Sequence, residues 1–194
     1  MHIIFWVTLV LSFILSCIAL YKNNFLFSWC YKRTIVWWSV LTMIGIALLY
    51  VSWNQYALWK VSAPGLLPPH LSITYFISYV GFRVWAPYLI SLGFSCICWV
   101  CMKFLNKKYE GKFFYEEELH MAPLALFLVG YPAFLFYIIL FFCIFIFGSI
   151  VQTLRKGMEG RMSMRFFWIP LALCVILLVN LYLQNFAWWS LLKI

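Results

Sequence analysis

The stretch KFLNKKYEGKFFYEEELHMAPLALFLVGYP, Lys103 to Pro132, decides how this chain is read. It holds Glu110, Glu116, Glu117 and Glu118, four of the five acidic residues in the sequence. A run of lysines precedes the glutamates, and from Met121 to Pro132 no charge follows them. Carboxylates in the first turn of a helix are favoured by its exposed N–H groups and its dipole. The pattern therefore predicts a helix that starts at a polar edge near Glu116 and runs into an apolar layer. Gly130-Tyr131-Pro132 then reads either as a tight turn between two helices or as a kink in one.

Working outward, the composition names the layer. Of 194 residues, 66% are hydrophobic, 22% aromatic and only 10% charged, far too apolar for a soluble core. A membrane crossing takes about 20 mostly apolar residues, so the chain has room for about six. The fold class expected is all-α: a polytopic integral membrane protein, one bundle spanning 1–194. Its helices fall near 2–21, 34–53, 84–105, 116–130, 132–154 and 166–189, with residues 71–82 lying along the interface. The first segment lacks the basic start and small-residue cleavage site of a signal peptide and reads as a retained helix. Trp37 and Trp38 at one end of the second helix, with Trp53 and Trp59 at the other, match aromatic residues resting at both surfaces.

Charge placement sets the orientation. The net charge of +9 is spread over segments that flank apolar runs, and no loop interleaves enough basic and aromatic residues to form a nucleic-acid groove. With a turn at Gly130–Pro132, loops 22–33, 103–115 and 155–165 fall on one face, as the positive-inside tendency requires. That places those loops in the cytoplasm, both termini outside, and the protein in the inner membrane. Lipid and other membrane proteins are the partners expected. Arg83 reads as a snorkelling side chain at the outer surface, with a buried intramembrane arginine as the alternative. Asn180 and Gln184, four residues apart, read as amides pairing with a neighbouring helix.

For chemistry, Glu118 is the candidate catalytic carboxylate, with Glu117 and His120 beside it. His120 is four residues after Glu116 and three after Glu117, within reach of either on a helix. The bland reading is a solvated charged helix start beside Lys107, Lys108 and Lys112. Hydrolysis by carboxylates needs two of them sharing a water. The chain has no aspartate, and adjacent helix positions point about 100° apart. Cys98 and Cys101 form a C-x-x-C with Cys96 nearby, but no His or carboxylate in that segment completes a metal site, and packing is the favoured reading. His2 and His70 stand alone. No phosphate loop, H-E-x-x-H or G-x-S-x-G is present, and no cofactor or metal is implied.

The second half resembles the type IV prepilin peptidase family, membrane aspartyl proteases with a G-x-G-D motif at the cytoplasmic start of a helix. Tyr115–Glu118 (YEEE) stands in the place of that motif, Gly130–Pro132 (GYP) in the place of the family's G-W-P-like turn, and Ile169-Pro170 at the start of the last helix. The resemblance covers about 80 residues and implies the fold. By position Glu118 replaces the second catalytic aspartate and His120 a nearby lysine, while the first aspartate, due between Leu20 and Asn24, has no acidic counterpart. Three functions follow: a non-catalytic partner-binding or assembly component of a pilus, secretion or conjugation system; a glutamate-dependent peptidase acting on a pilin-like leader peptide; or a small transporter using Arg83, Asn180 and Gln184 as a polar path.

Overall fold

The computed structural model describes residues 2–20, 34–110, 114–156 and 167–186, together with Trp189 and Leu192. The basic loop 22–33, Lys112 and residues 157–166, including Glu159, lie outside them. Among the described residues there is no strand. The helices are α1 (His2–Leu20), α2 (Ile35–Ser62), α3 (Ile73–Val80), α4 (Ala86–Lys108), α5 (Glu118–Val129), α6 (Ala133–Lys156) and α7 (Trp168–Leu181). Length and apolarity suit four stretches for crossing a membrane: α2, the continuous run Ile73–Lys108, α6, and Trp168–Asn185. The apolar runs of α1 and α5 are shorter.

These helices turn many of their large apolar side chains outward. Leu49 and Trp53 on α2, Ile97 and Phe104 on α4, and Phe142 and Phe147 on α6 are all exposed. Inside, larger side chains such as Phe134, Tyr137 and Leu124 are interleaved with small residues such as Ser12, Ser95, Ala122, Ala125 and Ala172. Exposed apolar surface on this scale requires a hydrocarbon solvent, and small residues at helix contacts are how helices pack within one. This is an integral membrane protein in contact with lipid.

Helix ends follow local chemistry, and several differ from expectation. α2 continues nine residues past Trp53 to Ser62, because nothing before Pro64 breaks a helix. The residue preceding a proline is pushed out of the helical region, and Ala63 is accordingly at φ −145°. The helix expected over 71–82 is present as α3 but is continuous with the next helix. α3 runs into α4 through a π-helical turn at Gly81–Trp85, in which the Ala86 N–H bonds to the Gly81 carbonyl. Pro87 has no N–H to give to Arg83, and the wider turn takes up the mismatch. Trp59 anchors the hairpin between α2 and α3, meeting the rings of Tyr75, Phe76 and Tyr79 at 6.1, 5.4 and 4.8 Å. α7 stops at Leu181 rather than near 189. The Asn185 side chain donates to the Leu181 carbonyl (3.2 Å) while its backbone N–H bonds to Tyr182 (3.1 Å), an example of side-chain competition ending a helix.

At the centre lies α5, in which every residue from Met121 to Val129 is buried. A helix apolar all round has no solvent face, and this one is enclosed chiefly by α4 and α7. Its 12 residues rise only about 18 Å. The chain then reverses. Ser95 of α4 donates to the Pro123 carbonyl (2.6 Å) on α5, and Phe94 meets Phe134 on α6 with ring centroids 4.8 Å apart. Residues 123 and 134 therefore lie at one level, with Gly130 at the tip of the turn. Gly130 takes φ 75° and ψ 162°, a conformation essentially confined to glycine.

Candidate functional site

The glutamate edge is built by α4 and α5 together. Near the end of α4, Asn106 accepts from the Phe114 N–H and donates to the Phe114 carbonyl, each at 2.9 Å. This reciprocal pair fixes the chain just ahead of α5. One residue later the Tyr115 carbonyl accepts the Glu118 N–H (3.0 Å), while the Glu118 carboxylate accepts the Tyr115 N–H through Oε2 (3.0 Å). A carboxylate reaching back three residues to a backbone N–H just ahead of the helix makes the bond that forms half of a capping box. Glu118 is 3% exposed, so the bond is sheltered from water.

The neighbouring groups do not converge on it. Glu116 is exposed and Glu117 half-buried, with the Glu117 carbonyl taking the His120 and Met121 N–H groups at 3.1 Å. His120 is half-buried, with Lys103 of α4 and Glu116 as its charged neighbours. No side-chain hydrogen bond joins His120 to Glu117 or Glu118. Lys103 itself lies over the Trp99 ring, 3.8 Å from its centroid. Within the described residues no three His, Cys or carboxylate side chains gather as metal ligands. Cys98 is half-buried with its Sγ 3.7 Å from Met102 Sδ, while Cys96 and Cys101 are exposed.

A second constellation forms where several helix ends meet. A cavity of about 270 Å³ is lined by Ile4, Phe5 and Thr8 of α1, the π turn and Pro87–Tyr88, the turn from Leu128 to Ala133, and the end of α7. α1, α4 and α6 begin here, and α5 and α7 finish here. The chain therefore alternates direction, and the glutamate edge occupies the opposite end of the bundle. Arg83, Asn180 and Gln184 all line this cavity. Among the described residues neither the Asn180 nor the Gln184 amide is bonded to a neighbouring helix, and both face this cavity instead. The π turn, which carries Arg83, and the early end of α7 bring them to one place.

The chain matches no family model, and no curated protein or solved structure matches it either. The site stands on its geometry alone.

Sequence reasoning passed over the residues that fix this frame. Asn106, Ser95 and Tyr137, whose hydroxyl donates to the Trp168 carbonyl at 3.0 Å, were not among the residues singled out by spacing or charge. An isolated hydrogen-bonding side chain inside an apolar run was the available signal, since polar groups in such surroundings are stable only when bonded.

Proposed function

We propose that this protein is a non-catalytic, partner-binding component of the inner membrane with the layout of a prepilin peptidase, serving the assembly of a pilus, secretion or conjugation system. The observation that carries the reading is the bond from the Tyr115 N–H to the Glu118 carboxylate. The one carboxylate in a catalytic-like position is committed to a backbone N–H at the start of α5, whereas acid–base hydrolysis needs two carboxylates sharing a proton and a water and the chain has no aspartate. Loss of the aspartates leaves the helical frame available for recognising other membrane proteins. The lysines at the end of α4 accord with a cytoplasmic glutamate edge, with both termini on the far side.

The transporter reading has less support. Arg83, Asn180 and Gln184 share a cavity, but its lining is confined to one end of the bundle, and the buried apolar length of α5 lies beyond it. That makes a pocket, not a path.

The test uses purified full-length protein and a pilin-like leader peptide. Wild type and Glu118→Gln are both expected to leave the peptide intact. Glu118→Gln retains near-native stability, because Gln also serves at this cap position, whereas Glu118→Ala loses about 1 kcal/mol. Cleavage by wild type that disappears in Glu118→Gln overturns the proposal in favour of a glutamate peptidase.

A further inference from the structure

Among the described residues that line the cavity at the end of the bundle, Arg83 is the one charged side chain, and none is a carboxylate. Four of the five glutamates belong to the segment 110–118, at or next to the other end. Asn180 and Gln184 bring two amides, each with two N–H donors, and Tyr131 brings a phenol to the same wall. An arginine fork with neutral donors around it matches a phosphate oxyanion, which it can hold through two parallel bonds.

The rest of the lining is apolar. Ile4 and Phe5, Leu128 and Val129, Ile176 and Val179 make most of the wall. Immediately beside it Ile3 and Phe82 face outward, 42% and 67% exposed, into what is hydrocarbon around this protein. A volume of about 270 Å³ is roughly that of nine waters in the liquid. It admits a phosphate with a short polyol or a few methylenes, and the remainder of an acyl chain would extend into the bilayer. A zwitterionic headgroup would bring an ammonium for which the lining has no counter-charge.

From this arrangement we infer that the cavity at the meeting of α1, α4, α5 and α7 is a binding site for the phosphate headgroup of an anionic phospholipid, held by Arg83 with Asn180 and Gln184. The inference is independent of the peptidase-like layout and stands whether or not the glutamate edge hydrolyses anything.

Native mass spectrometry of delipidated full-length protein in detergent, titrated with dioleoylphosphatidylglycerol, dioleoylphosphatidylcholine or inorganic phosphate, tests it. One phosphatidylglycerol is expected to bind in preference to phosphatidylcholine. Arg83→Gln should weaken that binding about tenfold, the scale of one charge-assisted bond. Gln184→Leu should weaken it less, and Lys60→Gln, an exposed cation outside the lining, should leave it unchanged. Arg83 is exposed, so its variant retains the fold, and an unchanged melting temperature checks this. Equal binding of the two lipids, or binding indifferent to Arg83→Gln, overturns the inference. Inorganic phosphate binding as tightly as the lipid and displacing it also overturns the lipid assignment, leaving a site for the free anion.

Discussion

Glu118 and Gly130 mark the two ends of α5, and each is determined by backbone need. Just ahead of its start, the Tyr115 N–H is a backbone donor that needs an acceptor in a half-buried place, and Glu118 supplies it. At its finish, the chain must turn sharply enough for Phe134 to return to the level of Phe94. Gly130 does so at φ 75°. A Cβ there meets no neighbour within 4 Å, so the cost of a side chain is conformational and not steric crowding. Gly130→Ala is therefore expected to destabilise the protein by about 1–3 kcal/mol, read as a lower melting temperature in detergent. A melting temperature equal to wild type would show that the turn relaxes without cost. The glycine was legible in the sequence as a breaker, and Glu118 was singled out among the three glutamates by its position, whereas its bond to the Tyr115 N–H was not legible. That bond depends on how α4, through Asn106, holds the chain ahead of α5.

At the scale of the element, α1 shows how a helix with almost no polar character finds its face. Thr8, Ser12 and Ser16 recur every fourth residue and are buried at 5%, 0% and 4% exposure, while Trp6, Val10 and Phe13 face outward. Each hydroxyl donates within its own helix, to Phe5, Leu9 and Ser12 at 3.0, 2.9 and 2.7 Å. The stripe is therefore polar in name and small in effect, and it lets α2 and α7 pack closely against α1. Enlarging its centre tests this. Ser12→Leu is expected to cost about 1–3 kcal/mol through overpacking, while Ser12→Ala, which keeps the surface small, should cost less than 1 kcal/mol. Thermal unfolding of both variants in the same detergent reads the difference, and equal effects would mean that hydrogen bonding and not size fixes the contact. Uninterrupted apolar length found the helix itself. Its inward side was readable only in this spacing of small residues, a weaker signal than the hydrophobic stripe of a soluble helix.

For the whole molecule, the reversal at Gly130–Pro132 sets the sidedness of everything after it. It puts the start of α6 with the start of α1, and the glutamate edge with the end of α4. Reporter fusions test the layout in cells: a fusion after Tyr109 should report the cytoplasm, and fusions after Pro69 or Tyr131 the opposite side. A fusion after Tyr131 on the same side as one after Tyr109 would mean that the segment crosses once and that both the orientation and the peptidase-like layout fail.

Composition by itself determined that this chain is helical and lives in a bilayer, because no soluble packing can cover so much apolar surface. Proline and glycine positions determined most helix ends, since their constraints act within a few residues. Tertiary structure alone decided that α5 is the buried core, that Glu118 is a cap, and that Arg83, Asn180 and Gln184 meet at one cavity. Those facts depend on bringing together residues as many as 101 apart in the chain (83 to 184), and in a sequence apolar on nearly every face the spacing of residues carries little record of which face is inside.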